Sequence, residues 1–285
     1  MGDKKLKKYL RRVHTLLSLY RFFKYKFIAS KKPVYRKELG FKFSGTHQMD
    51  IGVFEPEESE FFDYIIKHSN YFINVGANFG YYVCKALNEN KTTIAIEASP
   101  QNTKVLLSNV YANDFKAPFS MFQLAISDRS GVLKLYGNGT SASLINGWAG
   151  QSSYQLVPVN TLDVILYKKE RCLIWMDIEG AELSALKGAT QLLNAEQNIW
   201  VLEVNITEHQ PNSIAINPNL LETFQIFETH GYHAYCLSKP LRSVSIKEIE
   251  KIVKTRIDTL SVHNFVFVKD INLLHGSPLN KKKID

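Results

Sequence analysis

The sequence predicts an α/β fold: a mostly parallel, seven-stranded sheet with helices on both faces, preceded by a basic helical extension. Three observations predict it. From residue 70 onward, short apolar runs alternate with amphipathic stretches long enough for crossover helices. Most of the runs lack polar alternation, as expected of strands buried on both faces. The first run leads straight into a glycine-bearing turn and the second ends in an acid, the arrangement of a nucleoside site at a strand edge.

The extension comes first. Residues 5–29 place Leu6, Tyr9, Leu10, Val13, Leu16, Leu17, Tyr20, Phe23 and Phe27 at helical spacing, with Lys5, Lys8, Arg11, Arg12, Lys24 and Lys26 filling much of the remaining surface. Two readings of this basic amphipathic helix stand side by side. It packs on the body or a second subunit, or it lies on an anionic membrane surface with its aromatics in the interface. Its apolar stretch at 16–20 is brief, Arg21 interrupts it and no small-residue cleavage site follows, so a signal peptide is not expected. It also falls far short of the roughly 20 apolar residues of a membrane span. The expected organisation is an extension at 1–45, a ligand-binding body at 46–270 and a basic tail at 271–285.

In the body, strands are expected at 71–75, 92–98, 120–127, 172–177, 199–204, 233–237 and 265–268. Helices are expected at 81–90, 100–113, 181–193 and 220–230. One interval breaks the rhythm. Residues 128–160 hold Gly131, Gly137, Gly139, Gly147 and Gly150 between strand-like 132–136 and 154–159, which reads as a hairpin with a mobile loop. Residues 139–144 and Trp148 are candidates to close over a site, with a plain surface connection as the alternative.

Composition sets the class. At 285 residues, 45% hydrophobic and 12% aromatic, the chain can bury a full core without disulfides or a structural metal. Cys84, Cys172 and Cys236 form no CxxC pair and lie in or beside apolar runs, which reads as reduced, buried thiols and a cytoplasmic setting. Residues 1–42 carry fourteen Lys/Arg and two acids, +12 of a net +8, so the rest of the chain stands at −4. A body with that balance is not built to track a nucleic-acid backbone.

The turn at 76–80 reads Gly-x-x-x-Gly, not GxGxxG, and Glu97 follows Gly76 by 21 residues. Such a turn lets backbone approach a ligand, the next helix offers free N–H groups, and a carboxylate at the second strand's tip can accept both hydroxyls of a ribose. Residues 72–81 (FINVGANFGY) are similar to the first motif of the FkbM family of methyltransferases. Residues 97–102 (EASPQN) with Asn109 resemble its second, 125–131 (AISDRSG) its third, and 161–163 (TLD) followed by 176–182 (MDIEGAE) its fourth. The resemblance covers roughly residues 70–205. It implies a Rossmann-like class I methyltransferase sheet, S-adenosylmethionine as cofactor and O-methylation of a glycan sugar or a secondary metabolite. By position, Gly76, Asn78 and Gly80 would cradle the methionine part, Glu97 would hold the ribose, and Ala125 and Ile126 would flank the adenine. Asn74 departs: relatives more often carry an acid there, facing the cofactor's amino group, and an amide loses that charge attraction.

Asp177, Glu179 and Glu182 follow one strand and Glu203 ends the next, so these acids are expected at the carboxyl edge of the sheet. Asp177, Glu203 or His209 could take the acceptor's proton. The acids could instead hold a divalent cation, or simply cap the helix near Ala181, as helix-start acids do.

Rival readings share parts of this pattern. A NAD-dependent sugar-modifying enzyme would keep the sheet and the ribose acid, but GxGxxG and a Tyr-x-x-x-Lys pair are absent. A nucleic-acid methyltransferase is opposed by the acidic body and by the sequence at 217–219, Asn-Pro-Asn. A non-catalytic, membrane-associated protein on a decayed methyltransferase fold is motivated by Asn74 and the basic extension. The sequence favours the O-methyltransferase, in the cytoplasm or peripheral on the inner face of the membrane.

Overall fold

The computed structural model describes residues 27–28, 30–166 and 171–280. The helix expected at 5–29 lies almost wholly outside the described residues, and so do Lys281–Lys283. Thirteen strands are described: β1 (Val34–Arg36), β2 (Phe41–Phe43), β3 (Tyr71–Val75), β4 (Thr92–Ile96), β5 (Phe119–Phe122), β6 (Ala125–Ile126), β7 (Gly131–Tyr136), β8 (Tyr154–Asn160), β9 (Cys172–Met176), β10 (Ile199–Glu203), β11 (His233–Cys236), β12 (Arg242–Val244) and β13 (Asn264–Val268).

The central sheet has the order β12-β11-β13-β10-β9-β3-β4-β5. From β5 to β10 every pairing is parallel, and β13 enters antiparallel between β10 and β11. The chain winds outward from β3 through β4 to β5, then returns to the other side of β3 with β9. The order therefore reverses between β3 and β9, where a crevice opens beyond the carboxyl ends of the strands.

The alternation of side chains explains why both faces are covered. On β3, Phe72 packs into one apolar cluster and Ile73 and Val75 into the other; on β9, Leu173 and Trp175 face the first and Cys172, Ile174 and Met176 the second. Helices Pro56–Ile65, Tyr81–Asn88 and Pro100–Tyr111 bury Phe62, Val83 and Leu106 on the first face. Helices Glu182–Lys187, Leu220–Thr229 and Ile246–Thr255 bury Leu186, Phe224 and Ile249 on the second. Cys84, Cys172 and Cys236 are all buried.

Several expectations need correction. The sheet has eight strands, because Arg242–Val244 adds a hairpin strand at the edge of β11. The run at 120–127 is not one strand: it breaks after Phe122, and β6 joins a separate sheet of order β6-β8-β7. The helix expected at 181–193 is two, Glu182–Lys187 and Thr190–Asn194, because the Ser127 carbonyl approaches Gly188 to within 2.4 Å of where a Cβ would stand. The described end of the stretch 1–45 is a hairpin, β1–β2, whose Phe41 and Phe43 are core residues. It is pinned by Asp50, which accepts Gly45 N–H at 2.7 Å and pairs with Arg36 at 2.8 Å. Leu274 and Leu279, from the expected tail, are likewise buried in the core. The boundaries at 45 and 270 therefore do not divide packing units.

Candidate active site

The turn after β3 is fixed before any side chain is considered. Gly76 and Ala77 N–H both donate to the Ile96 carbonyl, at 2.9 and 3.0 Å, and Asp177 N–H donates to Val75 O at 3.0 Å. Gly76 has φ +82°, and a Cβ there would meet the Asp177 carbonyl oxygen at 1.8 Å. Only glycine satisfies both demands. Gly80 serves packing instead: it starts the helix Tyr81–Asn88, and a Cβ would lie 2.8 Å from Leu106.

Glu97, at the end of β4, is buried. Its Oε2 accepts Asn78 N–H at 2.7 Å, and its Oε1 accepts Ser99 N–H at 2.7 Å and Asn102 Nδ2–H at 3.4 Å. Burial pushes its pKa up, and these bonds to the ionised form work against that. An ionised carboxylate has about four acceptor directions, so capacity remains for hydroxyl groups.

Glu97 lines a cleft of about 560 Å³ with Gly76, Asn78, Ala125, Ile126 and Asp177, roofed by Gly139, Thr140, Ala142 and Leu144. Its mixed apolar and polar lining is that of a small-molecule site. Five of the seven residues expected to bind cofactor meet here. Gly80 does not, and Asn74 lies on the other side of the turn, its Nδ2–H donating to Trp175 O at 3.2 Å.

That other side is a second cleft of about 450 Å³, which shares Gly76, Asn78 and Asp177 with the first. It gathers Glu55, Asp177 and Glu203 among Tyr81, Tyr82 and Trp175. Burial raises the Glu55 carboxyl to about 8, against the lowering bond from Tyr82 O–H at 2.8 Å, with Glu203 and Glu58 adding to the rise. Asp177 is pushed well above the usual carboxylate range by burial, then by Glu203, Glu179 and Glu55. Glu203 is raised by burial and by Glu179, while His263 and the Asn205 amide at 2.9 Å oppose the shift. Burial and like charges thus disfavour ionisation at all three carboxyls that line this cleft. Among the described residues, buried Asn78 Oδ1 and Asp177 Oδ1 have no hydrogen-bond partner, so acceptor atoms stand ready where the two clefts meet.

The other expected members of the acidic cluster point elsewhere. Glu182, first residue of its helix, folds back to accept Gly180 N–H at 3.0 Å, and burial raises its pKa to about 7. Glu179 turns away to accept Trp148 Nε1–H at 2.6 Å. His209 lines neither cleft; its Nδ1 is 3.6 Å from Glu179 Oε2, and the bond to Glu179 raises its pKa. Among the described residues no group of three or more His, Cys, Asp or Glu is arranged to hold a metal ion, so the divalent cation that was one alternative for these acids finds no ligand set there.

Glu55 escaped the sequence reading. It stands before Pro56 and two further acids, which reads as an ordinary helix start. Its φ of +45° is the unusual feature, and sequence does not display it.

The family model described as "Methyltransferase FkbM domain" matches residues 74–234, more than half of the chain. No curated protein matches. Among solved structures, the chain is similar to methyltransferase FkbM from Methylobacillus flagellatus, with 16% identity and a TM-score of 0.44, over 70% of this chain and 43% of that one. It thus spans less than half the length of that protein. A precorrin-6y C5,15-methyltransferase from Geobacter metallireducens is 12% identical with a TM-score of 0.38, over 74% of this chain and 89% of its own. The bifunctional kinase-methyltransferase WbdD is 12% identical with a TM-score of 0.40, over 75% and 38%.

Proposed function

The chain belongs to the FkbM methyltransferase family, and from that premise we propose that it moves a methyl group from S-adenosylmethionine to a hydroxyl oxygen of a glycan sugar or a secondary metabolite. The observation that carries this is Glu97: a buried carboxylate clamped by Asn78 and Ser99 N–H on the floor of a cleft walled by Ala125 and Ile126. A nucleoside fits that chemistry, its ribose diol on Glu97 and its base between the apolar walls. The unpartnered Asn78 Oδ1 offers one further acceptor at the junction of the clefts, toward the methionine end.

Bound in the first cleft, S-adenosylmethionine would supply an already activated methyl group. The protein's work is then chiefly alignment. In this reading the turn at 76–78 fixes the donor side, and the second cleft holds the acceptor hydroxyl beside Asp177 and Glu203. Whichever carboxyl is ionised accepts the hydroxyl proton as the oxygen–carbon bond forms. A raised pKa makes that carboxylate a better base than an ordinary one. Tyr81, Tyr82 and Trp175 give the cleft aromatic faces on which a sugar ring can rest.

With this reading goes a cytoplasmic setting. Among the described residues no helix is long and apolar enough to cross a membrane.

The test is calorimetry with S-adenosylhomocysteine, followed by transfer of labelled methyl from S-adenosylmethionine to oligosaccharide and small polyol acceptors. Micromolar binding and an alkali-stable label, as an ether gives, are expected. Absence of binding at millimolar ligand would refute the assignment.

A further inference from the structure

The loop over the first cleft is fastened at three places. At its start, Asn102 Nδ2–H donates to Gly139 O at 3.1 Å while also reaching Glu97 at 3.4 Å. Next, Tyr136 and Ser143 exchange backbone hydrogen bonds at 2.7 and 3.0 Å, folding the loop back on β7. At its far end the loop meets the Asp177–Glu182 turn. Ser143 Oγ–H donates to Glu179 O at 2.5 Å, and Trp148 Nε1–H donates to Glu179 Oε2 at 2.6 Å.

The two segments also interlock sterically. Trp148 is 2% exposed, and its ring covers Gly180 so closely that a Cβ there would meet it at 2.5 Å. Glu179 itself holds φ +55°, a conformation that costs a non-glycine residue energy and persists only when its surroundings impose it. The loop after β10 closes the assembly from outside: Ala149 N–H donates to His209 O at 3.0 Å, and the His209 ring meets the Trp148 ring edge-on at 5.9 Å.

This matters because the same two segments are opposite walls of one cleft. Gly139, Thr140, Ala142 and Leu144 come from the loop, and Asp177, Glu179 and Ala181 from the turn. The geometry points to Trp148 and Glu179 as a clasp: positioning residues that hold the 137–151 loop as the roof of the nucleoside cleft and so set how tightly the cofactor is retained. The inference rests on the methyltransferase reading for the identity of the ligand. Trp148 lines neither cleft and acts only through Glu179 and the loop.

The full-length protein and its Trp148→Phe variant separate the possibilities. Phenylalanine keeps an aromatic ring over Gly180 but removes the donor to Glu179. Two quantities are read: amide hydrogen exchange across residues 137–153, and the calorimetric Kd for S-adenosylhomocysteine. The clasp predicts exchange in that segment faster by several-fold without ligand, unchanged exchange in β3, β4 and β9, and a Kd weakened by about tenfold. Ser143→Ala should move both readouts in the same direction. Unchanged exchange overturns the clasp, and so does faster exchange with unchanged Kd. Faster exchange spread through the whole sheet would mean general destabilisation and overturns it too. Wild-type protein that fails to bind would overturn the methyltransferase reading itself, a different failure from a wild type that binds and a variant that binds equally well.

Discussion

Gly76 and Asp177 stand back to back: the Asp177 carbonyl oxygen lies 1.8 Å from the point where a Gly76 side chain would begin. The contact locks the turn after β3 to the turn after β9, the two segments between which the sheet order reverses. Gly76→Ala must therefore move backbone as well as strain a positive φ. A loss of at least about 2 kcal/mol is expected, or roughly 4–8 °C in Tm for a domain of this size. Thermal unfolding with and without S-adenosylhomocysteine reads it, and a variant as stable as the parent would mean the contact is not binding the two turns together.

Glu97→Gln tests the floor of the first cleft. The amide keeps one acceptor oxygen but loses the charge and turns its other atom into a donor facing an N–H group. Bonds to a charged acceptor contribute about 1.5–3 kcal/mol each, so cofactor affinity should fall by about 10–100-fold by calorimetry. Glu97→Ala should go further and also lower stability, because it strands the Asn78 and Ser99 N–H groups.

How much of this was legible before folding differs between the two clefts. Gly76, Asn78 and Glu97 sit where adjacent strands of a parallel sheet end, an edge implied by alternating strand and helix, while Ala125 and Ile126, in β6 of the small sheet, are implied by the family resemblance. The second cleft is different. Glu55 reaches it from the turn before a helix that packs across the sheet, Asn74 from the opposite face of β3, and Asn264 from the antiparallel strand. Their meeting depends on how remote segments pack, which local pattern does not encode.

The same limit explains the acids. Asp177, Glu179 and Glu182 are close in sequence but diverge in space, because Glu179 adopts a left-handed conformation that swings its carboxylate to Trp148. Short, strained turns defeat spacing arguments, whereas β3, β9 and β10, buried almost throughout, match the expected bounds to within a residue. The eighth strand is a local hairpin on β11, whereas the split helix falls at Gly188, against the carbonyl of the distant Ser127.

Glu55 makes stability fall as pH rises. Its carboxyl is lifted to about 8 in the fold, against an ordinary value in the unfolded chain, so the folded state binds more protons between these two values. Stability is then highest below the unfolded pKa and is lost progressively until pH passes the folded one. Glu55→Gln removes this titration, and its amide oxygen still accepts the Tyr82 hydroxyl. Urea unfolding at pH 5 and pH 8.5 should show a variant whose stability changes less between the two, by on the order of 1–3 kcal/mol. Parallel profiles for variant and parent would show that Glu55 ionises normally in the fold.

Asp177 is where the two clefts meet, and its two parts do different jobs. Its backbone N–H and carbonyl fix the turns, through Val75 O and against Gly76, while its carboxyl faces the acceptor side with Oδ1 unpartnered. Asp177→Asn leaves the backbone contacts and the side-chain shape in place and removes only the capacity to take a proton. Turnover should fall by about 10²–10⁴-fold, the usual worth of a general base, while the Kd for S-adenosylhomocysteine stays within about threefold by calorimetry. Measured on the acceptor found by methyl labelling, turnover equal to the parent would leave Glu203 as the base, and Glu203→Gln would then carry the full loss.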